Sequence, residues 1–384
     1  MKLAFQLAYR NLIGAGLRTW LNAGILSFSF IVILFFDGLI DGWNKQGIRD
    51  SIDWEYGQGQ LLHADYDPYD PFTIDDGHGK IPESERAASV PVLVRQVSVY
   101  PEGRMLSVKL SGIEAEQKLL KLPTGQLLKS EAEIPAVIGK RMAKVAQLKV
   151  GDRVLMRWRD KNGVFDAQEV TIAGVFSSNV PTVDQGQFWI PIRKLWQMTG
   201  LHEEVSYLIQ KEPKAVSISG WNYKSQNELL KPFRELIKVE RIGNSILFTL
   251  LLGIALLTLF DTQVLSIFRR QKEIGTYIAL GMTRWQVVGL FTAEGAMYSL
   301  FAILLGSLYG IPFLFYMTKA GFGIPEANLQ MGITIAERIY PVYGFSLIFG
   351  TVLLVVISAT VVSFLPARKI ARLDPVLAIK GKVL

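Results

Sequence analysis

RRQKEIGTYIALGMTRWQVVGLF, residues 269–291, joins two long apolar runs, 246–268 and 287–317. From Arg270 onward its apolar residues fall at Ile274, Tyr277, Ile278, Met282 and Trp285, the stripe of one helical face. Arg270, Glu273 and Arg284 lie largely off that stripe. A basic amphipathic helix can lie in a membrane interface, its stripe against lipid or neighbouring helices and its polar face toward a soluble partner. Gly275 and Gly281 each lower helix propensity by roughly 1 kcal/mol relative to Ala. Gly281, just before Met282 and Thr283, suits a turn, and Gly275 suits close approach of another backbone. On physics alone, an ordinary basic loop serving membrane topology accounts for the same charges about equally well.

The flanking runs bring in the rest of the chain. A hydrocarbon core of roughly 30 Å needs about 20 apolar residues per helix. The segments 21–40, 246–268, 287–317 and 342–365 meet that need. The expected fold is therefore an α-helical membrane protein with four transmembrane helices and a large α+β domain between spans 1 and 2. Half of the 384 residues are apolar and mean hydropathy is positive, which suits a chain facing two solvents.

Lys and Arg in short segments beside the spans set orientation. Lys2, Arg10 and Arg18 precede the first span; Arg269, Arg270, Lys272 and Arg284 separate the second and third; Arg368, Lys369, Arg372, Lys380 and Lys382 follow the fourth. Only Glu273 and Asp374 oppose them. All three segments read as cytoplasmic, with both termini inside. The layout is an N-terminal cytoplasmic or interfacial helix (1–20), span 1 (21–40), a large external domain (41–240), span 2 (241–268), a cytoplasmic helix (269–286), span 3 (287–317), a short external loop (318–341), span 4 (342–365) and a cytoplasmic tail (366–384).

Charges nearly balance within 41–240, so the net +7 belongs to the membrane edge. The basic excess points to lipid headgroups as a partner, not to nucleic acid. A cleaved signal peptide is the alternative for span 1. It is opposed by a long basic start, a run of spanning length and no small-x-small site after it.

Within the external domain, SVPVLVRQVSVYPEGRMLSVKLSG (89–112) alternates on both sides of Pro101-Glu102-Gly103, as a hairpin does. A helical pattern follows at 113–121. Then AVIGKRMAKVAQLKVGDRVLMRW (136–158) reads as strand, helix, turn and strand, and VTIAGVF (170–176) and QFWIPI (187–192) as strands around SSNVPTVDQG. RKLWQMTGL (193–201) looks helical, and a helical pattern from Trp221 to Arg241 leads into span 2. The acidic, Tyr/Pro/Gly-rich segment 54–80 contains His63 and His78, but its spacing is neither that of a calcium loop nor of a zinc site. A solvated loop is the better reading, and no metal ligand is assigned.

Chemistry is sparse. IGKR (138–141) lacks the first glycine and the hydroxyl of a nucleotide-binding P-loop. There is no G-x-S-x-G elbow, no H-E-x-x-H, no cysteine and only three histidines. The expectation is a non-catalytic chain that binds no cofactor. Asp261 and Glu294 lie inside spans, where an unpaired charge costs roughly 2.5 to 3.5 kcal/mol. Pairing between spans, or with Arg269, Arg270 or Arg284, is preferred to a proton-carrier role, since four spans are few for a carrier and no inverted repeat is visible.

EIGTYIALGMTRWQVVGLFTAEG (273–295) resembles the cytoplasmic motif of the MacB/FtsX/Lol permease family of ABC transporters, with Met282 where Ala is usual and Lys272 where Arg is usual. AYRNLIGAGLRTWLNAGI (8–25) and SFLPARKIARLDPVLAIKG (363–381) are similar to its first-span and C-terminal segments. In the external domain, VIGKRMAKVAQLKVGDRVLM and VTIAGVF are similar to the core of its periplasmic domain.

The resemblance implies an inner-membrane permease subunit that pairs with a second copy or a paralogue. Each subunit docks a separate cytoplasmic ATPase, which holds ATP and Mg. It also implies that ATPase closure moves the periplasmic domain, here most simply to release lipoproteins. An FtsX-like regulator of a cell-wall hydrolase and a MacB-like efflux subunit with an adaptor and outer-membrane duct are the alternatives.

Glu273, Ile274, Gly275, Ala279, Leu280, Gly281, Met282 and Arg284 then form the coupling surface, with Glu273 available to a basic residue of the ATPase. Pro366, Ala367, Arg368, Asp374 and Pro375 brace it, and Ser27, Phe28, Phe30 and Phe35 are candidates to face lipid or substrate.

Overall fold

The structure, a computed structural model, describes residues 17–215, 217–325 and 334–372. The expected N-terminal helix over 1–20 falls largely outside these residues, and Asp374 and Pro375 fall wholly outside them. The chain divides into two compact units, 1–43 with 237–322 and 338–384, and 44–236 with 323–337.

Among the described residues four helices are long and apolar enough to cross a membrane. They are α1 (Leu17–Ser51), α4 (Lys231–Arg269), α6 (Arg284–Ala320) and α7 (Phe345–Ala367). The first three are longer than their apolar runs: 35 residues of α1 make a rod of about 50 Å, against a hydrocarbon core of about 30 Å.

In the first unit, Leu26, Phe30 and Leu34 of α1 meet Leu252 and Leu259 of α4, Met297 and Tyr298 of α6, and Val355 of α7. Where lipid surrounds helices, packing rather than water expulsion must hold them, and small residues permit the approach. A Cβ at Gly295 would overlap the Ser363 side chain, and one at Gly310 would overlap Ile31. Asn22 donates to Thr262 Oγ1 at 2.8 Å, so two buried polar side chains satisfy each other across the bundle.

The second unit holds a nine-stranded mixed sheet. Its strands are β1 (Gly59–His63), β2 (Ser89–Val99), β3 (Leu106–Ile113), β4 (Pro135–Gly139), β5 (Arg153–Arg159), β6 (Phe165–Phe176), β7 (Gln187–Pro191), β8 (Tyr207–Gln210) and β9 (Trp221–Ser225). Helices α2 (Lys140–Ala146) and α3 (Ile192–Thr199) follow β4 and β7. Spatial order is β9-β1-β8-β2-β3-β7-β4-β6-β5. A further pairing, Val99 with Met156, joins β5 back to β2, so the strands from β2 to β5 close into a ring.

Period-2 alternation divides this sheet between two cores. Val97, Leu110, Ile138, Met156, Ile172 and Phe188 lie in one, and Val94, Val137, Trp189 and Ile209 in the other.

The expected hairpin is β2–β3, turning at Pro101–Gly103 with Val99 opposite Leu106. The helix expected over 113–121 is absent. Its place is taken by turns in which the Gln117 amide accepts from Leu120 N at 2.8 Å and donates to Leu120 O and Leu122 O, an alternative to helix that short polar segments favour. The helix expected from Trp221 begins as strand β9, because Trp221 and Tyr223 pack on the sheet core while Asn222 and Lys224 face away.

Asp184 sits over the start of α2. Its Oδ1 accepts from Arg141 N at 3.3 Å, and Arg141 Nε lies 3.5 Å from Oδ2. Burial pushes the Asp184 carboxyl up to about 6, with the hydrogen bond and charge of Arg141 opposing it. The folded state thus holds this proton more tightly than the unfolded chain, whose value is 3.8. Its contribution to stability is greatest below about pH 4 and is lost as pH rises through 6. Asp184→Asn should therefore flatten the pH 4 to 6 portion of the chain's denaturation-midpoint profile; an unaltered profile would rule this account out.

Candidate functional site at the junction of α4 and α6

At Arg269 α4 ends, and α5 (Gln271–Ala279) begins after Arg270, whose φ of −104° and ψ of 18° break the helix. The chain then turns through Leu280 to Thr283, with Gly281 at φ +99°, a conformation that glycine adopts without Cβ strain. Thr283 opens α6 with a capping box: its side chain accepts from Gln286 N, and the Gln286 side chain accepts from Thr283 N. The amphipathic stretch is therefore two helical pieces, not one helix over 269–286. The turn resets the helical phase, so Ile274 is buried, Tyr277, Ile278 and Met282 are partly buried, and Trp285 is 63% exposed.

Beneath α5 lies a compact apolar cluster: Ile274 with Val287, Val288 and Phe291 of α6, and with Ala367 and Ile370 of the tail. Pro366 and Ala367 are buried and Arg368 is exposed. The eight residues expected to form a coupling surface thus divide. Ala279, Leu280, Gly281 and Arg284 are exposed, Leu280 at 79%; Ile274 and Gly275 are buried; Glu273 and Met282 are intermediate.

Glu273 is turned inward upon the chain. Arg270 Nε and Nη2 donate to its two oxygens at 2.6 and 2.7 Å, and the Tyr277 hydroxyl donates at 2.6 Å. Arg270 Nη1 also donates to both oxygens of Glu294 in α6, at 2.8 and 3.1 Å. The guanidinium lies 4.7 Å from the centre of the Phe291 ring. Burial works to lower the Arg270 pKa, but the hydrogen bonds to Glu273 and the charge of Glu294 outweigh it and raise it. The Arg270 hydrogen bonds in turn hold the Glu273 carboxyl below the usual carboxylate range. Sequence reasoning named Arg270 only as one of three partners for an intramembrane acid; its reach to two carboxylates 21 residues apart (273 and 294) leaves no periodic trace.

The remaining expected residues are dispersed. Asp261 is on the exposed side of α4. Ser27 is buried and shares a 2.7 Å hydrogen bond with the Tyr309 hydroxyl. Phe30 and Phe35 pack inside the helical unit, and only Phe28 faces outward. The outward stripe of α1 is Leu21, Ile25 and Phe28, spaced four and three residues apart as one helical face requires.

The second unit carries a cleft of about 510 Å³ lined by Glu55, Tyr66, Lys109, Thr182, Tyr207 and Lys224, among others. Thr182 donates to Glu55 at 2.7 Å, Lys109 donates to Pro68 O at 3.0 Å, and the Tyr66 and Tyr207 rings stack at 5.9 Å. Burial lowers the Lys109 pKa while Glu55 and Asp67 hold it up. Segment 54–80 is not the solvated loop expected: Gly59–His63 is strand β1, with Leu61 and Leu62 buried in the two cores, and beyond it Asp67 and Asp70 accept from Tyr69 N and Phe72 N, as turn-forming carboxylates do. No group of three or more metal-ligating side chains occurs among the described residues.

Residues 245–375 match the family described as FtsX-like permease C-terminal. These residues form an FtsX-like permease domain. The match covers α6, α7 and the Arg270 cluster, together with most of α4. The chain is 23% identical over 256 residues to the lipoprotein-releasing system transmembrane protein LolC of Neisseria meningitidis serogroup B, covering 58% of this chain and 60% of that one. It is 35% identical over 156 residues to the macrolide export ATP-binding/permease protein MacB of Hyphomonas neptunium, covering 38% of this chain and 21% of that one.

The pyoverdine export ATP-binding/permease protein PvdT of Pseudomonas syringae matches 73% of this chain and 39% of its own length, at 23% identity. The chain thus spans between about a fifth and three fifths of the length of these relatives. The extracellular domain of the noncanonic ABC-type transporter YknZ from Gram-positive bacteria aligns with 41% of the chain at 14% identity, with a TM-score of 0.25, too low to define a shared fold.

Proposed function

We propose that this chain is the permease subunit of an ATP-binding-cassette transporter. It receives the work of ATP hydrolysis from a cytoplasmic ATPase at the outer face of α5 and the α5–α6 turn, and passes it to the domain of residues 41–240 on the far side of the bacterial inner membrane. The observation that carries the proposal is the exposed Leu280, Gly281, Arg284 and Trp285 seated over the buried Ile274 cluster. An exposed apolar tip on a buried apolar base is what a docking partner covers.

Lys and Arg at 269, 270, 272, 284, 368 and 369 support a cytoplasmic placement of this junction. Both termini are then inside, and spans 21–40, 241–268, 287–317 and 342–365 cross the membrane. No P-loop occurs in residues 1–384, so ATP and Mg would be held by an ATPase outside these residues, in this reading a separate chain. The likeness to LolC supports release of lipoproteins as the work done, by a pair of such permeases. The likeness to MacB and PvdT favours a second reading, efflux.

The test is affinity purification of the full chain in mild detergent. An ATPase should be recovered with the parent chain, and Leu280→Ala with Trp285→Ala should lower that recovery about tenfold, the loss of two apolar anchors. A lipid-modified protein in the same eluate supports release; an adaptor with a duct supports efflux; a secreted hydrolase supports signalling. Recovery of no ATPase, or equal recovery with both chains, would remove the docking role.

A further inference from the structure

Resting on that reading, we propose that Arg270 is a positioning residue that locks α5 to α6, so that force on the exposed face of α5 moves α6 instead of bending the α5–α6 turn. Three links join the two helices. The turn itself, apart from the partly buried Met282, is exposed and contains Gly281 at φ +99°, with no atom within 4 Å of where its Cβ would lie, so it offers little resistance. The cluster of Ile274, Val287, Val288 and Phe291 is apolar, and such contacts are non-directional and tolerate sliding.

The third link is the guanidinium. A planar fork bonded to both oxygens of Glu273 fixes angle as well as distance, which an apolar contact does not. Its remaining nitrogen reaches Glu294, ten residues and about 15 Å along α6 from Arg284, so the bond spans well past the turn. The Phe291 face closes the site on another side.

Arg270 N also donates to Ser266 O at 3.1 Å, which ties the lock to the last turn of α4. One residue at a helix break thereby holds three helices in register. Glu273 is accordingly part of the lock, and the surface offered to the ATPase is Ala279, Leu280, Gly281, Arg284 and Trp285.

The chain has no cysteine, so two introduced cysteines are its only labelling sites. Lys272→Cys on α5 and Gly289→Cys on α6 are both exposed, and a Cβ at Gly289 meets nothing within 4 Å. Spin labels at these positions, in the full chain in nanodiscs, should give one narrow distance distribution. Arg270→Lys keeps the charge but loses the fork; it should about double the width of that distribution. Glu294→Gln, a neutral isostere that still accepts a hydrogen bond, should give an intermediate width.

In the same preparations Arg270→Lys should leave the amount of bound ATPase unchanged and lower its lipid-stimulated hydrolysis about tenfold, the worth of a charge-assisted bond. Unbroadened distances in both Arg270→Lys and Arg270→Leu would overturn the lock, as would loss of ATPase binding with distances still narrow. If the parent chain recovers no ATPase, the transporter reading fails, and the label distances decide the lock by themselves.

Discussion

Gly139→Val should lower the stability of the sheet domain by about 3 kcal/mol, the upper range for forcing atoms into a packed site. Gly139 ends β4 and caps α2, with φ −73° and ψ 158°, a conformation open to any residue. Conformational strain is therefore not the reason. A Cβ there would overlap the Cα and carbonyl oxygen of Asp184, and these backbone atoms have no rotamer to escape into. Moving them would pull the Asp184 carboxylate off Arg141 N and leave α2 without that cap.

Gly139→Ala should already show most of the effect, because the first carbon makes the collision. Gly281→Ala is the contrast: its surroundings are open and its cost, about 1 kcal/mol, comes from φ +99° alone. Denaturation midpoints of the three full-length variants measure this directly. A Gly139→Val midpoint equal to the parent's would show that the close approach is absent.

The second large effect is expected at Ile274. Ile274→Asp should cost several kcal/mol, since it buries a carboxylate among Val287, Val288 and Phe291. Arg270, whose guanidinium lies over the Phe291 ring of this cluster, already serves Glu273 and Glu294. Ile274→Ala should cost about 2 to 4 kcal/mol through the cavity alone. Leu280→Asp, six residues on and 79% exposed, should change stability by less than about 0.5 kcal/mol.

Function should order these variants differently. Leu280→Asp should lose ATPase recovery with the fold intact, whereas Ile274→Asp should lose α5 itself, seen as accelerated hydrogen exchange over 271–279. Equal exchange in parent and Ile274→Asp would mean that the cluster does not hold α5 in place.

Much of this was legible along the chain, because the forces concerned act over short separations. Apolar runs of spanning length become helices through backbone bonds four residues apart, and alternation from Ser89 to Gly112 becomes a hairpin because side chains there take opposite faces. Gly281 marked a turn for the same reason: a left-handed conformation is a property of one residue. Local rules misread 113–121, where one glutamine side chain captured the backbone bonds of a helix, and Trp221 to Ser225, where pairing with β1 overrode a helical pattern.

Residues 273–286 show the boundary between the two kinds of information. Periodicity identified Ile274, Tyr277, Ile278 and Met282 as one face, and the apolar cluster lies under that face. It could not tell that Trp285 leaves the stripe, since the turn at Gly281 resets the phase. Nor could it tell which acids Arg270 binds, that β5 returns to β2, or that Gly139 rests on Asp184, 45 residues away. The sequence by itself determined the spanning helices, most of the strands, the charge asymmetry and the likeness of residues 245–375 to FtsX-like permeases. Only the tertiary structure decided which charges meet and which faces close, because those energies depend on distances across space that no spacing along the chain encodes.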